Sequence, residues 1–169
     1  MLTIKQILVP TDFGEPADAA LTYGRELTGR FGATLHVLHV AENIYITTFG
    51  AETYAAVAPD LQHELEEAAR VRLNELVIDS DGSGPRTKAV VMTSASPAFA
   101  IIDYAKEHGI DLIVMGTHGR GALAHMLMGS VAERVVRLAS CPVLTVRHPE
   151  HEFVTPDTLV PVALKEALA

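Results

Sequence analysis

The sequence predicts an α/β domain built as an open, doubly wound sheet of five parallel strands with helices on both faces. Three observations lead there. Short apolar runs alternate with stretches of helical periodicity along most of the chain. The runs are apolar throughout rather than alternating, as expected of strands covered by helices on each side. The first and fourth runs both end in unusual chemistry, Thr11-Asp12 and a dense glycine segment. In such sheets ligands sit beyond the strand C-termini, at the point where the winding reverses.

Each element follows in order. Ile4 to Val9 is the first strand, ended by Pro10 and then Thr11-Asp12. Ala17 to Phe31 has helical spacing, with Leu21, Leu27 and Phe31 among its apolar positions, and stops at Gly32. Thr34 to Val40 (TLHVLHV) is β-branched and mostly apolar, the second strand. After a less regular stretch, Pro59 to Val77 carries Leu61, Leu65, Ala68, Leu73 and Leu76 as a helical stripe. SDGSGP, residues 80–85, is a turn signal. Thr87 to Met92 is the third strand, Pro97 to His108 a helix stopped by Gly109, and Asp111 to Met115 the fourth strand. The glycine segment follows, then a helix over Ser130 to Ala139 and a fifth strand over Pro142 to Val146.

Length and composition bound the function. A chain of 169 residues, 49% hydrophobic and 20% charged, is about one globular domain. No apolar run reaches the roughly 18 residues that cross a bilayer. MLTIKQILVPTD lacks a basic leader with an apolar segment and cleavage site, so the reading is a cytoplasmic protein without membrane insertion. The single cysteine, Cys141, sits before Pro142 and reads as a structural thiol in a reducing compartment. With 13 basic and 21 acidic side chains the formal charge is 13 − 21 = −8, and no basic stripe is visible. Such a surface repels polyanions, which argues against nucleic-acid binding, yet leaves room for a small anion held by backbone amides.

The glycine segment is MGTHGRGALAHMLMGS, residues 115–130, and holds four of the chain's 12 glycines. Its spacing is Gly116, Gly119, Gly129, Ser130, that is G-x2-G-x9-G-S. It is not a Walker A loop, because no Gly-Lys-Ser/Thr follows. Gly119-Arg120-Gly121 resembles the start of a dinucleotide fingerprint, but it follows the fourth strand and position 124 is Ala. The physics still suits phosphate. Glycines let the main chain approach a ligand, and successive amides form an anion-binding concavity. Gly129 and Ser130 stand where a helix begins, and unpaired N–H groups there favour negative charge. Ser130 and Glu133 also have capping-box spacing, so Ser130 has either a helix cap or a phosphate to serve. Asp12, just past a strand end, suits ribose hydroxyls or a divalent ion held through water; its other reading is a helix cap. Arg120 is the cation of the loop and Asp12 the acid of the crevice.

ILVPTD, LHVLHV, DLIVMGTHGRG and MGSVAERVVRLASCPVLTVR together resemble the universal stress proteins, in the subset that binds ATP. The likeness spans residues 1–147 and no glycine of the signature is missing. It implies a flavodoxin-like, Rossmann-type domain of strand order 3-2-1-4-5 that binds ATP and forms homodimers. Carried over by position, it places Pro10, Thr11 and Asp12 beside the adenosine, with Asp12 near the ribose or a Mg²⁺ or Mn²⁺ ion. Val40 meets the adenine through its main chain. Met115, Gly116, Thr117, His118, Gly119, Arg120 and Gly121 line ribose and phosphates, and Gly129, Ser130 and Val131 close on the phosphate tail. Equivalent fifth strands, Pro142 to Arg147 here, pair across a two-fold axis, and a regulatory protein partner is a further implication.

Other features weigh less. His36 and His39 lie three apart in a strand and point to opposite faces, which suits structural histidines and not one metal ion. His125 is a weaker candidate than Arg120 for phosphate contact, and the Met126–Met128 patch with Leu127 reads as a hydrophobic lid or packing patch. Fast phosphoryl transfer needs an in-line nucleophile, a metal and compensating charge. Without a P-loop lysine or a water-activating base, the expectation is a nucleotide-dependent regulatory module with slow ATP hydrolysis at most. The alternatives are a slow ATPase or nucleotidyl-transfer enzyme, and a ligand-free dimeric scaffold. Residues 43–58 are apolar enough to pack over the crevice or at an interface. Residues 148–169 form an extension whose end, LVPVALKEALA, has the makings of a short docking helix.

Overall fold

The computed structural model describes residues 3–43, 59–78, 86–117 and 128–147. In chain order these form β1 (Gln6–Thr11), α1 (Glu15–Phe31), β2 (Thr34–Glu42), α2 (Pro59–Val77), β3 (Thr87–Ser94), α3 (Pro97–Glu107), β4 (Leu112–Gly116), α4 (Ser130–Leu138) and β5 (Val143–Val146). The five strands make one sheet in the order β3-β2-β1-β4-β5, and every pairing is parallel. This is the fold class and strand order expected from the sequence.

The central strands show why continuous apolar runs were informative. Ile7, Leu8 and Val9 of β1 are all fully buried, but they serve different layers. Ile7 and Val9 join Leu35, Val37 and Val114 in a core with Ala20 and Leu21 of α1 and Leu73 of α2. Leu8 joins Leu38, Ile113 and Met115 against Ile101 and Ala105 of α3 and Ala132 and Val135 of α4. Side chains alternate along a strand, so a strand covered on both faces is apolar at most positions. Each such side chain contributes about 1.5–3 kcal/mol on burial. The outer strands β3 and β5 are only partly buried.

α1 lies close to the sheet because its inward face is small: Ala17, Ala20, Gly24 and Thr28. A Cβ on Gly24 would stand 2.4 Å from Cγ2 of Val9. The helix opens two residues earlier than expected, with Pro16 in its first turn, and stops at Gly32 as expected.

Three expectations need correction. The first strand is placed two residues further on, so that Pro10 and Thr11 lie inside β1 and are buried. The stripe on α2 is offset: Leu61 and Leu65 are 40% and 43% exposed, and the inward face runs Gln62, Ala69, Leu73, Leu76. The first turns of α2 pass the polar ends of β2 and β3, where Gln62 donates to the Glu42 carbonyl at 3.4 Å and to Glu66 at 3.1 Å. At the start of the helix a polar contact to β2 takes the place of an apolar one, while Ala69, Leu73 and Leu76 hold the rest of that face against the core. Finally, Gly129 is the N-cap of α4 in extended conformation, making Ser130 the first helical residue, so the expected capping box does not form. Glu133 instead faces Arg137 at 3.5 Å on the exposed side of the helix.

Candidate functional site

β1 and β4 are neighbours, and their chains leave in opposite directions along the sheet, β1 toward β2 and β4 toward β5. α1 follows β1 onto one face and α4 follows β4 onto the other. The C-terminal ends of these strands are therefore the switch point, flanked by the N-termini of two helices.

The turn after β1 is held by its own side chains. The Phe13 N–H donates to Thr11 Oγ1 at 2.9 Å, and the Gly14 N–H donates to Asp12 Oδ1 at 3.0 Å. Asp12 thus shapes the turn, while Gly14 takes the N-cap position of α1. Phe13 has φ +62°, the one positive φ outside glycine among the described residues. Its ring lies 4.4 Å from that of His39 and 4.5 Å from the Arg72 guanidinium carbon.

β4 ends against this turn. A Cβ on Gly116 would stand 2.7 Å from the Pro16 carbonyl oxygen, so any larger residue would collide with backbone. Thr117 then ties two elements together. Its N–H donates to the Val146 carbonyl at 2.9 Å, and its carbonyl accepts from the Gly129 N–H at 2.7 Å. The chain that leaves at Thr117 is back beside it at Gly129. Met115 is buried, Val131 packs against the α3/α4 core, and the Ser130 side chain is exposed at the first turn of α4. One strand over, β2 pairs with β1 only as far as His39 opposite Thr11, but with β3 as far as Glu42 opposite Ser94. Val40 therefore stands one residue past the end of β1.

Of the sequence-derived residues, the structure gathers Thr11, Asp12, Met115, Gly116, Thr117, Gly129, Ser130 and Val131 at adjoining strand ends, with Val40 beside them and Pro10 buried just behind. His118, Gly119, Arg120 and Gly121 lie outside the described residues, as does His125. Phe13, Pro16, His39 and Arg72 were not anticipated at the site. Asp12-Phe13-Gly14 carried a turn signal, but nothing in the sequence marked Phe13 as left-handed or Arg72 as its neighbour.

Electrostatics differ between the two ends of the sheet. Beyond β3, the Thr93 hydroxyl donates to Glu66 at 2.6 Å; with the Gln62 amide it holds that carboxyl below its usual range. At the other end, His36 is buried, its Nε2–H donating to Gln6 Oε1 and its Nδ1 accepting from Tyr104 O–H, both at 2.8 Å. Burial first, then Lys88 and His108, push its pKa down from 6.5 to about 4. His39 faces the other side, where its Nδ1–H donates to the Thr11 carbonyl at 2.9 Å. Both histidines are structural, as expected. Burial raises the Cys141 thiol, which suits a packing role.

The sequence profile of the universal stress protein family matches residues 3–147. A universal stress protein of Methanocaldococcus jannaschii, MJ0531, is 31% identical over 88% of this chain and 85% of its own length. The solved structure of MJ0577, from the same archaeon, is 30% identical, covers 86% of this chain and 97% of its own, and superposes with a TM-score of 0.71. A universal stress protein of Archaeoglobus fulgidus, solved in complex with dAMP, shares the fold at TM-score 0.54 and 18% identity, covering 86% of this chain and 98% of its own. The chain belongs to the universal stress protein family.

Proposed function

We propose that the protein is an ATP-binding regulatory module whose nucleotide lies across the C-terminal ends of β1 and β4. One observation carries the reading: the Thr117–Gly129 hydrogen bond sets the N-terminus of α4 directly beside Gly116 and the Asp12 turn. The first N–H groups of a helix lack intrahelical partners and favour an anion. Here they stand beside Gly116, which is packed so closely on the Pro16 backbone that the starts of α1 and α4 flank the same strand end. That an Archaeoglobus fulgidus protein of this fold holds dAMP is in keeping with an adenine nucleotide as ligand.

In this reading the Ser130 hydroxyl and the Ser130 and Val131 amides take the phosphate tail, while Gly129, whose own N–H is held by the Thr117 carbonyl, closes on it without a side chain. Gly116 and Thr117 line the ribose and phosphates, joined by His118, Gly119, Arg120 and Gly121. Pro10, Thr11 and Asp12 flank the adenosine, Met115 backs it, and Val40 offers main-chain groups to the base. Among the described residues no three His, Cys, Asp or Glu side chains converge to hold a metal. A Mg²⁺ or Mn²⁺ ion would therefore arrive with the phosphates, Asp12 holding it through water. No lysine stands among the described residues of the site. Hydrolysis is accordingly slow at most, and ATP acts by favouring one conformation over another.

The edge position of β5, with Leu144 38% exposed there, supports a homodimer formed through Pro142 to Arg147; the compartment we propose is the cytoplasm. Among the described residues no helix is long and apolar enough to cross a membrane. A regulatory protein partner would respond to the nucleotide state. The test is mass analysis of ligand carried through gentle purification, followed by turnover measurement. Bound ATP with negligible hydrolysis supports the module. Multiple turnovers per minute, lost in Asp12→Ala or Arg120→Ala, would make it an enzyme instead.

A further inference from the structure

We propose that Arg72 is a positioning residue of the nucleotide site: through Phe13 it holds the β1–α1 turn in the shape that presents Thr11 and Asp12 to the ligand. This rests on the nucleotide reading above.

The turn adopts a conformation its sequence disfavours. A left-handed φ places the Cβ of an L residue against backbone, and a bulky aromatic has no local hydrogen bond to offset this. Such strain persists only where the surroundings over-determine it. At Phe13 (φ +62°) the determinants come from three elements. Thr11 of β1 accepts the Phe13 N–H at 2.9 Å. His39 of β2 sets its ring 4.4 Å from the Phe13 ring, and its own position is fixed by the Nδ1–H bond to the Thr11 carbonyl at 2.9 Å. Arg72 of α2 places its guanidinium carbon 4.5 Å over the ring, and its Nη2 donates to the Phe13 carbonyl at 3.4 Å.

Arg72 differs from the other two. Thr11 and His39 belong to the strands that build the crevice, whereas Arg72 is an exposed side chain on a helix that otherwise reaches the core through Leu73 and Ala69. Removing it opens no cavity. What it removes is a planar cation resting on the ring and the donor to the carbonyl between Asp12 and Gly14. The loss falls on the one turn where Asp12 Oδ1 is set by the Gly14 N–H. A site loosened in this way loses affinity without unfolding.

The experiment is calorimetric titration of Mg-ATP into the full chain and into Arg72→Met, Arg72→Lys, Phe13→Gly and Phe13→Gly/Arg72→Met, with a melting curve for each. Arg72→Met is expected to weaken ATP binding by about tenfold while the melting temperature barely moves. Arg72→Lys keeps the charge but not the planar stack, and should fall between. Glycine adopts the left-handed φ without cost, so adding Arg72→Met to Phe13→Gly should change affinity less than about twofold. Phe13→Asn, which also tolerates that φ, replaces Phe13→Gly if the glycine chain folds poorly.

Wild-type affinity retained in Arg72→Met overturns the positioning role and leaves the nucleotide reading standing. Equal weakening in the native and Phe13→Gly backgrounds also overturns it, because a turn that glycine adopts without strain needs no such hold. A wild-type chain that takes no ATP at millimolar concentration overturns the nucleotide reading, and this proposal with it.

Discussion

Gly129 donates its backbone N–H to the Thr117 carbonyl at 2.7 Å, so the end of β4 and the start of α4 are one local structure. Thr117 also donates to Val146 at 2.9 Å, which anchors the pair to β5. The glycine segment is thereby closed at its base, with Gly116 and Ser130 held on either side of the closing bond.

That closure separates two roles of Ser130. Gly129 already caps α4, so Ser130→Ala should leave thermal stability within about 0.5 kcal/mol of wild type, as for an exposed position. Affinity for ATP should drop about tenfold, in line with the loss of a hydrogen bond to a charged group. A melting curve and a titration on one preparation check both. A large fall in stability with unchanged affinity would return the serine to capping.

Gly116→Ala should damage both fold and site. The new methyl would meet the Pro16 carbonyl oxygen at 2.7 Å, and neither partner is a flexible side-chain end. Overpacking of this kind costs about 1–3 kcal/mol, and relief would push α1 away from β4. Urea denaturation reads the first effect and ATP titration the second.

His36 makes stability depend on acid. Its folded pKa of about 4 lies below the unfolded value of 6.5, so the native state binds fewer protons between them. Its contribution is fully present above pH 6.5 and is lost progressively as pH falls toward 4. At about 1.36 kcal/mol per pKa unit the loss approaches ~3 kcal/mol. Urea midpoints measured across that range should fall in wild type and fall less steeply in His36→Gln. Parallel slopes would assign the acid sensitivity elsewhere.

The edge of β5 distinguishes two valines' worth of sequence from one exposed leucine. Val146 is 5% exposed and sits in the α1/α2 core, so Val146→Glu should unfold the protomer. Leu144 is 38% exposed and faces out, so Leu144→Glu should turn the proposed homodimer into a folded monomer. Light scattering after size exclusion decides it; a folded Leu144→Glu dimer would remove β5 from the interface.

Element types were readable because central strands buried on both faces are apolar at most positions, and Gly32 marks the end of α1; the strand order came with the family resemblance. The crevice was readable because Thr11-Asp12 and Gly116-Thr117 terminate neighbouring strands. What escaped depends on tertiary contact. The inward face of α2 begins with Gln62, which reaches the Glu42 carbonyl of β2, a polar contact that no apolar stripe reveals. Gly129 displaced Ser130 as the cap because the Thr117 carbonyl takes its N–H, a partner distant along the chain. Phe13's left-handed turn follows from His39 and Arg72, which only the folded sheet brings to it.

The decisive measurement is a titration of ATP into the purified chain with nucleotide content assayed beforehand. Backbone amides at the start of α4, with Gly116 and the Asp12 turn, should bind one ATP per chain saturably, well below millimolar concentration, with the Ser130→Ala chain weaker. No binding at millimolar ATP by a folded, nucleotide-free chain would contradict that assignment outright.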